Sequence, residues 1–85
     1  MIELIDFHAN WCHPCRVMEP IISEIEKEHA GKLKVARIDV DKEPQEAAAF
    51  NVLSIPTFVI KKDGQVVEQF SGTVSKEELV KKLRL

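Results

Sequence analysis

The stretch Ile2-Glu3-Leu4-Ile5-Asp6-Phe7-His8-Ala9-Asn10-Trp11-Cys12-His13-Pro14-Cys15 decides how this chain is built. From Ile2 to Phe7 the residues are β-branched or large and apolar apart from Glu3 and Asp6, with no Gly or Pro, which predicts a strand. Beyond Cys15, the residues Val17, Met18, Ile21, Ile22 and Ile25 recur at the spacing of one helical face. Arg16, Glu19, Ser23, Glu24, Glu26, Lys27 and Glu28 oppose them. An amphipathic helix therefore begins at the cysteine pair and is expected to end at Gly31. Pro20 lies in its middle, where a missing backbone donor and a clash with the preceding turn should kink or split it. The cysteines thus sit where a strand ends and a helix begins, the edge at which α/β folds place their sites.

Further along the chain, Leu33 to Val40 resumes an extended pattern with apolar side chains on both faces, a strand expected to be covered on both sides. Glu43, Pro44 and Ala47-Ala48-Ala49-Phe50 form a short connecting helix, with Pro44 suited to its first turn and Asn51 able to end it. Thr57 to Ile60 and Gln65 to Phe70 flank Lys61-Lys62-Asp63-Gly64, and an Asp-Gly turn between extended runs predicts an antiparallel hairpin. Ser75-Lys76-Glu77-Glu78 is a capping box. Leu79, Val80 and Leu83 follow on one face, and Glu77 with Lys81 and Glu78 with Lys82 stand at ion-pair spacing. The expected order is β-α-β-α-β-β-α: an α/β domain spanning residues 1–85, with a four-stranded mixed sheet, helices on both faces, and a parallel crossover joining the first two strands.

Eighty-five residues leave room for one domain. A composition 45% apolar and 31% charged is that of a folded domain rather than a disordered chain. A net charge of −2 with interleaved Lys and Glu gives no basis for nucleic-acid binding. No apolar run reaches the roughly 18 residues of a membrane span, and the start of the chain lacks the pattern of a signal peptide, so a cytoplasmic address is expected. Without a leftover apolar face the chain is expected to be a monomer, with a weak self-pairing patch around Trp11 and Pro56.

Two cysteines three positions apart make a poor staple: so short a loop is worth about 2 kcal/mol, against roughly 3 for a fifteen-residue loop. Redox chemistry or metal ligation explains them better. At a helix start the free backbone N–H groups favour a thiolate, so Cys12 is the expected acidic cysteine. Cys15 lies one turn further in, near the separation a disulfide requires. Pro14 presets the helical φ of the first turn, and a protonated His13 would add positive charge beside Cys12.

Asp6 through Arg16 resembles the active-site stretch of the thioredoxin family. The likeness extends to Pro20, Val35-Ala36-Arg37, Ser54-Ile55-Pro56-Thr57, the Lys62-Asp63-Gly64 turn and Gly72, so that nearly the whole chain is covered. The resemblance implies a thiol–disulfide oxidoreductase of minimal thioredoxin fold. In it Cys12 attacks a substrate disulfide, Cys15 resolves the mixed disulfide, and a buried Asp6 assists proton transfer. It further implies a cis Ile55-Pro56 bond facing the sulfurs, Trp11 beside them, and Gly72 leaving room for a partner. The implied partners are disulfide-containing proteins and a flavin- or ferredoxin-linked reductase, and no cofactor is assigned.

The sequence departs from the family in lacking a leading strand and helix, like short archaeal-type members and glutaredoxin-like proteins. His8 stands where an aromatic is common, Arg37 where a lysine is usual, and Cys-His-Pro-Cys replaces Cys-Gly-Pro-Cys. Arg37, always charged, is expected to hold Asp6 ionised. His13 pushes toward an oxidising pair and Pro14 toward a reducing one, so glutaredoxin-like, isomerase or oxidant work is the nearest alternative. Two further readings belong to another class: zinc held by Cys12, Cys15, His8 and His13, or a non-catalytic module binding through the Ile55-Pro56 edge. On composition alone Trp11 reads as a core residue and Pro56 as a strand-start proline.

Overall fold

In the computed structural model, which describes residues 1–85, the elements are β1 (Ile2–His8), α1 (His13–Glu28), β2 (Leu33–Asp39), α2 (Pro44–Ala49), β3 (Thr57–Lys62), β4 (Gln65–Ser71) and α3 (Lys76–Leu83). The strands form one sheet in the order β2-β1-β3-β4. β1 pairs parallel with β2 and antiparallel with β3, and β3 pairs antiparallel with β4. This is the expected α/β architecture and element order.

Alternation along β1 sorts its side chains onto two faces. Leu4 joins Met18, Ile22 and Ile25 of α1, Leu79 and Leu83 of α3, and Phe58 and Ile60 of β3 in the larger core. Ile5 and Phe7 face the opposite way, onto Val59 of β3 and Ala47 of α2. Each fully buried Leu, Ile or Phe contributes on the order of 1.5–3 kcal/mol, and these two layers fix β1 in the middle of the sheet.

Local details differ from the sequence expectations for identifiable reasons. α1 is uninterrupted through Pro20 and ends at Glu28, not Gly31. Both Arg16 and Pro20 are exposed, so the carbonyl left without a partner faces water. The carbonyl of His29 then accepts bonds from Lys32 and Leu33, and Gly31 takes φ +90° in the reversal. β2 has apolar side chains on both faces as expected, but as an edge strand it buries only Leu33 fully. β3 runs on to Lys62, leaving Asp63-Gly64 as a two-residue turn. Both turn residues have positive φ, as a hairpin of matching twist demands. Ser75 caps α3 by accepting the Glu78 N–H at 3.1 Å. Neither expected pair, Glu77–Lys81 nor Glu78–Lys82, forms; Lys82 reaches Glu68 of β4 at 2.8 Å and lies over the Phe70 ring. No helix is long and apolar enough to cross a membrane.

Candidate active site

β1 ends by bringing Asp6 and then His8 to the sheet face covered by α1, since residues two apart share a face. Ala9, Asn10 and Trp11 turn the chain, and Cys12 becomes the N-cap of α1 with extended backbone, φ −89° and ψ 104°. Its Sγ accepts the backbone N–H of Cys15 at 3.2 Å, taking the place of the oxygen that normally caps a helix. His13 and Pro14 occupy the first helical positions and are exposed. Cys12 and Cys15 are joined as a disulfide with their Cα atoms 5.3 Å apart. Both are nearly covered, at 3% and 6% exposure, in a small apolar cluster with Ala9 that Val40 and Ile55 flank.

Asp6 is the only charged residue in the protein's interior, at 3% exposure. Burial pushes its carboxyl up to about 6 from the ordinary 3.8 by penalising the charged form. The charge of His8 pulls it back down, Glu19 pushes it up, and Arg37 lowers it. A cavity of about 320 Å³ opens onto it, lined by Asp6, His8, Cys15, Arg16, Glu19 and Arg37 among others. Asp6 and Cys15 therefore share one polar space.

Arg37 is placed differently from the sequence expectation. It is next to Asp6 in the β1–β2 register, yet its guanidinium is bonded to Glu19 at 3.0 Å, Glu26 at 3.1 Å and Ser23 at 3.4 Å, all on α1. Arg37 lowers the Asp6 carboxyl in the expected direction, but because the arginine is turned to Glu19 and Glu26 its influence is the weakest of the four, and burial outweighs it. Glu19, four residues after Cys15 and so on the same helical face, is a site neighbour that this spacing already contained.

On the other side of the cysteines Trp11, Val40, Ala47, Val52, Leu53, Ser54 and Ile55 line an apolar groove of about 380 Å³. Trp11 is 66% exposed rather than core, its indole N–H donating to Asp41 at 2.8 Å. Leu53, which nothing in the sequence singles out, is 97% exposed beside it. Pro56, by contrast, is buried, so the exposed apolar patch is Trp11 with Leu53 and not Trp11 with Pro56. The Ile55-Pro56 bond is cis, and Gly72 donates its N–H to the Pro56 carbonyl at 2.9 Å. Gly72 takes φ +95°, a conformation that requires glycine, and nothing in the chain would meet a Cβ there. His8 and His13 are not gathered with the cysteines into a ligand set: no group of three or more His, Cys, Asp or Glu is arranged to hold a metal.

The sequence model described as Thioredoxin matches residues 1–85. Thioredoxin of Listeria monocytogenes is 50% identical over 78 residues, 92% of this chain and 76% of that protein. Thioredoxin of Staphylococcus aureus is 40% identical over 82 residues, 96% of this chain and 79% of that one. Among solved structures, a mutant thioredoxin from Halobacterium salinarum superposes with a TM-score of 0.90 at 34% identity, covering 98% of this chain and 72% of its own. The oxidised form of mitochondrial thioredoxin 3 from Saccharomyces cerevisiae gives 0.88 at 32%, covering 98% and 76%. With a cysteine pair closed at a helix start and these likenesses along its whole length, the chain belongs to the thioredoxin family and is a thiol–disulfide oxidoreductase.

Proposed function

We propose that this protein reduces disulfides in other proteins, with Cys12 as the attacking sulfur, Cys15 as the resolving one and Asp6 as the group that takes the Cys15 proton. The observation that carries the reading is the seat of Cys12. A sulfur at the N-cap that accepts a backbone N–H at 3.2 Å is stabilised as a thiolate by the same donor and by the positive end of α1. The Cys12 thiolate attacks one sulfur of the target; that S–S bond breaks, and its electron pair leaves on the second target sulfur, which takes a proton from water. Cys15 then loses its proton to Asp6 and attacks the Cys12 sulfur. The internal disulfide closes, and the target departs as a dithiol carrying two electrons. With its carboxyl near 6, Asp6 is mostly a carboxylate at neutral pH and still basic enough to serve.

The backbone N–H and C=O of Ile55 make no hydrogen bond within the chain, so an extended target segment can pair with them beside the sulfurs. Trp11 and Leu53 supply apolar contact on that side, Gly72 keeps the other side low, and His13 and Pro14, exposed between the two cysteines, tune the pair. A monomer in the cytoplasm, recharged by a flavin- or ferredoxin-linked reductase, fits this role.

The test is a Cys15→Ser variant exposed to disulfide-containing proteins, together with the reduction potential of the wild-type pair against glutathione. Mixed disulfides through Cys12 that dithiothreitol releases, and a potential near the −270 mV or so of thioredoxins, are expected. A potential near the −120 mV or so of dedicated oxidants would turn the assignment toward disulfide formation, with His13 as its cause.

A further inference from the structure

The proposed reduction leaves a proton on Asp6 after every cycle, and that proton has to leave a buried carboxyl. The cavity beside Asp6 shows one route. His8 lines it with Asp6, is half-buried where Asp6 is buried, and stands two positions along the same strand face. At a strand rise of about 3.3 Å per residue the two side chains start roughly 6.6 Å apart, a gap one water molecule spans.

The other charged groups around this space are less suited to the task. Arg16 of α1 and Arg37 of β2 are guanidiniums, which do not release protons at physiological pH, and Arg37 is bonded to Glu19 and Glu26. Glu19 is bonded to Arg37 and Ser23, and so is occupied as an acceptor. Asp39 of β2, beside His8 in the β1–β2 register, accepts the backbone N–H of Asp41. His8 is the only imidazole among them, and the two nitrogens of its ring let it take up one proton and release another.

We infer that His8 is a positioning and proton-relay residue for the resolving step: it draws the proton from Asp6 and passes it to solvent, so that Asp6 is a carboxylate again when the next Cys15 thiol must be deprotonated. The transfer balances without a co-reactant. Asp6 O–H breaks as the imidazole nitrogen takes the proton, and the imidazolium then loses it to water. In the opposite direction the same path reprotonates Cys15 when the internal disulfide is reduced. The charge of His8 acts on Asp6 in the sense this requires, favouring the carboxylate.

The inference rests on the proposed role of Asp6, and the experiment separates the two. Reduced protein is mixed with the aromatic disulfide dithiobis-nitrobenzoate in a stopped-flow instrument. The first thiolate released reports Cys12 attack, and the second reports closure by Cys15. Wild type, His8→Ala and His8→Phe, the last restoring bulk at the position, are compared from about pH 5 to about pH 8, a range that brackets the Asp6 midpoint of about 6. The Asp6 midpoint is followed by carboxyl carbon resonance in each.

Both variants should slow the second phase on the order of 10-fold, leave the first unchanged, and move the Asp6 midpoint upward from about 6. Added imidazole should restore the second phase in His8→Ala in proportion to its concentration. An unmoved second phase, or a loss that imidazole does not reverse, overturns the relay. Asp6→Asn is the control: a wild-type second phase in that variant would remove the carboxylate from the mechanism and the relay with it. That outcome is distinguishable, because the Asp6 midpoint would still respond to His8.

Discussion

The two faces of β1 are equally shut off from water and differ in what they hold. Toward α2, Ile5 and Phe7 meet Val59 and Ala47, and no charged residue is buried in the layer. Toward α1 and α3, Leu4 meets a larger apolar layer, but the next residue on that face is Asp6 and the one after it His8. The apolar layer on that side ends one residue pair short of the cysteines, and a polar cavity takes over. One face therefore holds the strand in place, and the other delivers a carboxyl to the site at the expense of stability.

If the α2 face is purely structural, truncating it should hurt stability by the same amount at every pH. Phe7→Ala removes a fully buried ring that packs against Phe50 at a centroid distance of 5.6 Å. A loss of about 3–5 kcal/mol in unfolding free energy is expected, flat across pH, measured by denaturant titration of the oxidised protein. A loss that varied with pH would mean the two faces are coupled through β1.

The α1 face should behave in the opposite sense. The carboxyl of Asp6 titrates near 3.8 when unfolded and near 6 when folded, so between those values the folded state binds more protons and stability falls as pH rises. Below 3.8 both states are protonated and the penalty vanishes; above about 6 both are ionised and the whole penalty, about 3 kcal/mol, is present. Asp6→Asn should accordingly stabilise the oxidised protein by about 1–3 kcal/mol at pH 7 and by little at pH 4, while slowing the Cys15 step. Thermal melts at the two pH values check it, and a variant less stable at pH 7 would contradict the burial penalty.

Much of this contrast was legible in the residues. An acid inside Leu4-Ile5-Asp6-Phe7 announces itself as a costly buried group, and the period of two puts it on the face of Leu4. The Cys12-His13-Pro14-Cys15 spacing places the sulfurs at a helix start. The Asp63-Gly64 turn and the Ser75 cap are local chemistry and formed as local chemistry dictates. What the sequence did not show depends on which partner a long side chain selects among several within reach. Lys82 had Glu78 at ideal spacing and took Glu68, and Arg37 had Asp6 beside it and took Glu19 and Glu26. Exposure was equally hidden: nothing about Leu53 or Trp11 as residue types says that both stand in water beside the groove.

The choice made by Arg37 gives the smallest effect and the sharpest division within the α1 face. Its partners are about two-fifths exposed, with Glu19 at 46% and Glu26 at 39%, so water already screens the pairs. Arg37→Gln should therefore lower stability by less than about 1 kcal/mol. Its charge lowers the Asp6 carboxyl and is the weakest of the four influences on it, below that of His8. The variant also frees Glu19, whose charge raises Asp6, to act without its counterion. The Asp6 midpoint should rise, by less than in His8→Ala, when both are read by carboxyl resonance under one buffer. A larger rise in Arg37→Gln would move control of the buried acid from the strand that carries it to the ion pairs that roof it.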